Sequence, residues 1–194
     1  MTNISVVQTK SKGRRPTLSD SAPITGSQKR FDAPTQRVTI RLSMLARCYF
    51  NFRQYDEGIS TITRAISREP EESFYFYLLG YGHYQKDNAF EATANLHKAI
   101  QLNPDYAQAY VNRGSVYVEL DDLSQARYDF TRAIEINPQT AQAFNDRAIV
   151  YYQLKEYAKA RDDVQTATSL GYAVNADFAS AVSKAGGDKK EIDK

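Results

Sequence analysis

The sequence predicts an all-α fold, a solenoid of antiparallel helix pairs closed by a C-terminal capping helix. Three observations point to it: a period of 34 residues, apolar residues at helical spacing inside each period, and prolines at the period boundaries. Near-identical segments end at Pro70 (AISREP), Pro104 (AIQLNP) and Pro138 (AIEINP), and one further step reaches Tyr172 after TATSLG. Such a regular period is the mark of a repeat architecture.

Composition limits what else the chain can be. Of 194 residues, 42% are hydrophobic and 25% charged, the balance of a globular protein rather than a disordered or fibrous one. No apolar run approaches the ~20 residues that cross a bilayer, and no N-terminal segment reads as a secretory signal. Cys48 is the one cysteine, which fits a reducing, cytoplasmic compartment. With two histidines besides, a His/Cys zinc cluster is excluded. Neither a metal nor a cofactor is expected.

Residues 1–38 stand apart from the rest. They carry seven Lys/Arg against Asp20 and Asp32, a balance of +5, while the remainder sums to −3. Phe31 is their sole aromatic among the 23 Phe and Tyr of the chain. So few apolar groups cannot offset the entropy of ordering the segment, so a flexible basic arm is expected. Its most economical role is a solvated linker. Electrostatic contact with nucleic acid or an anionic membrane, or a targeting role, is a weaker reading of its dispersed charges.

Four units follow, at 39–72, 73–106, 107–140 and 141–174. In the first, the helical spacing covers roughly 39–52 and 56–67. Polar breaks such as Asp87-Asn88 and Asp121-Asp122 separate the two stretches of a unit, so the chain doubles back as a hairpin. A large apolar column reads Leu42, Phe76, Tyr110, Phe144; small columns read Ala46, Gly80, Gly114, Ala148 and Gly58, Ala92, Ala126, Ala160. Small residues let the paired helices approach, and large ones fill the space between them. Each boundary proline stops the second helix, because it has no amide donor and disfavours helical geometry before it. One hairpin cannot bury enough apolar surface alone, so stacking on neighbours is required. Residues 175–186 read as one more amphipathic helix, the cap, and 187–194 as a solvated tail.

The columns resemble the tetratricopeptide repeat. The match is carried by Phe76-x2-Leu79-Gly80-x2-His83 with Ala92-x3-Leu96 and Pro104, and by Tyr110-x2-Arg113-Gly114-x2-Tyr117 with Ala126-x3-Phe130 and Pro138. Gly58 stands where the family has alanine, Arg113 and Arg147 where it has leucine, and Tyr172 in place of the last proline.

No catalytic constellation is apparent, and an enzyme is not expected. Cys48 shares a column with Gly82, Val116 and Val150, which reads as a packed thiol. His83 falls in an aromatic column with Tyr49, Tyr117 and Tyr151, and His97 in a polar outer one with no acid partner evident. A general base needs such a partner.

What the resemblance implies instead is a concave groove, lined by the first helix of each pair, that holds an extended peptide or a partner helix. Transferred by alignment, its lining is Ser43, Met44, Arg47 and Phe50, then Phe74, Tyr77, Leu78, Tyr81 and Tyr84, then Gln108, Val111, Asn112, Ser115 and Glu119, then Gln142, Asn145, Asp146, Ile149 and Tyr152. The first half is aromatic and the second amide-rich. Aromatics suit an anchoring role, and Asn112 and Asn145 suit pairing with a peptide backbone. The expected role is therefore a non-catalytic scaffold or adaptor for a partner protein. Self-assembly into a homo-oligomer through the aromatic half, or a chaperone-like holder of a secreted or assembling protein, is the alternative. Family members that grip acidic chaperone tails use a clamp of lysines, asparagines and arginine. Here Tyr77, Tyr81, Asn112, Gln142 and Asp146 occupy those places, only Asn112 agrees, and no such clamp is expected.

Overall fold

A computed structural model of the chain describes residues 33–187, with side chains described over 36–185. The helices run in the order α1 (Ala33–Asn51), α2 (Tyr55–Ile66), α3 (Ser73–Gln85), α4 (Ala89–Leu102), α5 (Ala107–Glu119), α6 (Leu123–Ile136), α7 (Ala141–Gln153), α8 (Tyr157–Ser169) and α9 (Ala176–Gly187). No strand occurs among the described residues, and no helix among them is long and apolar enough to cross a membrane. The fold is an all-α helical-repeat solenoid.

Residues 1–32 of the basic arm and the tail at 188–194 lie outside the described residues. The stretch 33–38, read above as the end of the arm, is instead the start of α1. Two features account for the early start. Pro34 falls in the first turn, where a missing amide donor costs nothing. Thr39 Oγ1 then donates to Glu69 Oε1 at 2.7 Å, and Tyr75 Oη to Glu69 Oε2 at 3.2 Å. Buried Glu69 thus ties the start of α1 to α3 through the corner after α2. Burial beside these groups pushes the Tyr75 phenol up to about 12.

Each hairpin turns in the same way. Arg53, Asp87, Asp121 and Lys155, spaced at the repeat period, all adopt φ near +60°. The amide of the next residue reaches back five positions, as in Gln54 N to Tyr49 O at 2.9 Å and Glu156 N to Tyr151 O at 2.8 Å. This closes the first helix of each pair with a left-handed cap. The fourth unit also ends differently from the others. Where Asn103 and Asn137 are extended before proline, Gly171 takes φ of 85° and redirects the chain toward α9.

Packing runs along the row. Each first helix lies against its own partner, and α3, α5 and α7 lie also against the second helix of the unit before. Successive first helices also touch, α1 to α3, α3 to α5 and α5 to α7, whereas successive second helices do not approach to the same degree. The row therefore curves with α1, α3, α5 and α7 on its inner side. The alanine columns Ala65, Ala99, Ala133 and Ala167 are fully buried, as are Ile62, Leu96 and Phe130. The column Gly58, Ala92, Ala126, Ala160 departs from alanine at its first member for a local reason. A Cβ at Gly58 would overlap the Phe50 ring, which packs directly against this turn of α2.

One sequence expectation fails in the first unit. Cys48 is exposed, not packed. Its counterparts Val116 and Val150 are buried because the second helix of the preceding unit lies against them. Among the described residues α1 has no preceding unit, so its thiol faces outward.

Candidate functional site: the inner face of the solenoid

The inner helices bring together most of the residues transferred to the groove, but they do not leave the aromatic half open. Tyr77, Tyr81 and Tyr84 are 2%, 7% and 6% exposed. Their rings engage one another and their neighbours: Phe74 stacks on Tyr77 at 6.3 Å between centroids, Tyr77 meets Tyr106 at 5.0 Å, and Phe50 meets Tyr81 edge-on at 5.7 Å. Such pairs stabilise a core. Phe50 is a core residue rather than a groove residue, held between Gly58, Gly82 and Tyr81. Phe74 and Arg47 are half-buried at the margin of this cluster. Tyr152 is half-buried too, its ring edge-on to Tyr157 at 5.4 Å and to Phe178 of the capping helix at 5.7 Å.

The amide half has a different chemistry. Gln108 Nε2 donates to Asn112 Oδ1 at 3.4 Å, while Asn112 itself is fully buried. Its Nδ2 has no hydrogen-bond partner in the described structure, and neither has the buried Tyr106 hydroxyl. The Asn112 amide lies near the Tyr77 phenol without reaching hydrogen-bonding geometry. Burial drives the Tyr77 and Tyr106 phenols far above their usual range, so both remain neutral donors. One unit on, Asn145 Nδ2 donates to Asp146 Oδ1 at 3.0 Å and Gln142 Nε2 to Asp146 Oδ2 at 3.3 Å. Burial nevertheless pushes the Asp146 carboxyl up to about 6, against the lowering effect of those two bonds.

Two ion pairs on the flank of this face were not foreseen. Arg113 Nε and Nη2 donate to Asp129 Oδ2 and Oδ1, each at 2.8 Å, and Arg147 does the same to Asp163. Each guanidinium also packs over two rings, Tyr110 and Tyr117 for Arg113, Phe144 and Tyr151 for Arg147. The spare nitrogen of Arg113 lies 3.1 Å from His97 Nδ1 in the preceding unit, and that of Arg147 donates to Thr131 Oγ1 at 3.2 Å. His97 therefore has a partner that its polar column did not reveal. A signal was present: leucine pairs with Thr61 and Asn95 in the first two units, and arginine with aspartate in the last two.

The arrangement is that of a repeat solenoid whose inner face carries unsatisfied amide and hydroxyl groups beside a packed aromatic cluster. Residues 42–72 and 107–140 each match the tetratricopeptide repeat as a family profile. The chain thus carries tetratricopeptide repeats in these two stretches. No curated protein matches it in sequence. Its fold is similar to that of the first TPR of Spaghetti (RPAP3) bound to the HSP90 peptide SRMEEVD, with 24% identity, 61% of this chain and 94% of that one covered, and a TM-score of 0.59. It is also similar to MamA, at 22% identity over 71% of this chain and 80% of that one with a TM-score of 0.64. A third likeness is to YrrB, described as a TPR protein with an unusual peptide-binding site, at 20% identity, 77% and 76% coverage and a TM-score of 0.62.

Proposed function

We propose that this protein is a non-catalytic interaction scaffold that holds an extended peptide of a partner protein along the inner face, centred on α5. The observation that supports this reading is the buried pair of unsatisfied groups around Tyr77, namely Asn112 Nδ2 and the Tyr106 hydroxyl. Buried amide donors are rarely left unpaired, and leaving one costs about 1–3 kcal/mol. A peptide carbonyl brought to this point, with Gln108 swinging aside from its long bond, would satisfy Asn112 and Tyr106 together. Recognition would then run through backbone groups, with Phe74 and Arg47 at the margin and Asn145 further along.

The likeness to peptide-binding TPR structures favours the same role. The chaperone-tail ligand named for RPAP3 is not part of the reading: Tyr77 and Tyr81 are buried where that clamp needs cations, and Asp146 offers no attraction to a carboxylate.

The test is selection from a displayed library of extended peptides. Enriched peptides should lose at least about tenfold in affinity with Asn112→Ala, while circular dichroism shows the variant still folded. Peptides indifferent to Asn112→Ala, or no enrichment at all, would remove the basis for the proposal.

A further inference from the structure

The stripe of α1 that points away from α3 is built like an internal repeat seam but is uncovered among the described residues. In α3, α5 and α7 the positions equivalent to Arg41 are Tyr75, Ala109 and Ala143, and those equivalent to Cys48 are Gly82, Val116 and Val150, all buried by the preceding unit. In α1 the stripe is exposed: Val38 at 43% and Leu45 at 44%, with Arg41 and Cys48 exposed beside them. The spacing Val38, Arg41, Leu45, Cys48 is that of a helix made to receive another helix.

Charge decides what fits there. α1 contains arginines and no acidic residue, and exposed Arg37 and Arg41 have no ion-pair partner among the described residues. Residues 1–32 hold six Lys/Arg against two Asp, a positive balance that does not suit this stripe. A second copy of α1 would set arginines against arginines. The outer end of α9 exposes Ala176, Asp177, Ser180, Ser183 and Lys184, which supply no apolar seam.

We infer that this stripe of α1 docks an amphipathic helix of another protein, apolar along its seam and acidic on its flanks, which extends the solenoid by one helix. The site is separate from the inner face and stands whether or not that face binds peptide.

Two synthetic helical peptides test it on the full chain by fluorescence anisotropy. Both carry a leucine–alanine seam, one flanked by glutamates and the other by lysines. The glutamate peptide should bind about tenfold tighter than its twin and weaken with salt. Leu45→Glu should abolish binding, and Arg41→Glu should reverse the preference. Both positions are exposed, so circular dichroism should show the fold intact. Lys98→Ala, on the exposed outer side of α4, should leave this binding unchanged. Equal binding of both peptides, or binding that survives Leu45→Glu, would overturn the inference. So would self-association dissolved by Leu45→Glu, which would make a second copy the occupant. Binding that appears only after removal of 1–32 would assign the stripe to that segment instead.

Discussion

Arg113 and Asp129 face each other through two parallel 2.8 Å hydrogen bonds, and the same clasp recurs one repeat later between Arg147 and Asp163. Each joins the two helices of its hairpin where the first unit has Leu45 and Thr61. A buried pair of this kind contributes little net stability over an apolar pair, yet breaking it strands a charge. Arg113→Leu alone should therefore destabilise the protein by about 3–5 kcal/mol. Arg113→Leu with Asp129→Thr should recover most of that loss. Urea unfolding of the two variants decides it, and equal losses would show that the clasp is not a coupled unit.

Phe50 and Gly58 form a second coupled pair. Alanine at 58 would gain helix propensity but drive its Cβ into the Phe50 ring. The expected outcome of Gly58→Ala is a net loss of about 1–3 kcal/mol, as for other overpacked cores. Phe50→Leu in the same chain should make room and bring part of it back. Thermal melts of the single and double variants provide the measurement.

Asp146 makes stability depend on pH. Its carboxyl titrates at about 6 in the folded chain against an ordinary 3.8, so between these values the folded state holds more protons than the unfolded one. Stability from this group is greatest below pH 3.8 and falls as pH rises through 6. Asp146→Asn should remove that slope and raise stability at pH 7.5 by about 1–3 kcal/mol. Urea midpoints from pH 4 to 7.5 test this, and a parallel slope in the variant would contradict it.

Lys155 sits at φ of 61° in the turn between α7 and α8, a conformation that any residue with a Cβ adopts at a cost. Lys155→Gly should stabilise the protein by about 0.5–1 kcal/mol, read as a rise in melting temperature. A fall would mean that the lysine side chain contributes more than the strain removes.

The period made the helices legible, because a column of alanine or proline means the same thing in every unit. It could not show what differs between units. Cys48 looked buried by analogy with Val116 and Val150, but its burial depends on a preceding unit rather than on its own helix. Tyr77, Tyr81 and Tyr84 looked like open groove lining. Column position says which helix face a ring is on, and not that Phe50, Phe74 and Tyr106 close over it. The Arg–Asp clasps escaped single columns because the information lies in two columns changing together. Asn112 was found from its residue type and register alone, while its unpaired Nδ2 required coordinates.

The inner-face reading is tested most directly by site-specific photo-crosslinking in the native cell. A crosslinking amino acid at Ser115 or Ile149, half-buried on α5 and α7, is compared with one at Lys98 or Arg161, exposed on α4 and α8. The account predicts that one partner protein is trapped from Ser115 and Ile149, is absent from Lys98 and Arg161, and is lost with Asn112→Ala. Trapping of the same partner from the outer helices and not from the inner ones would contradict it.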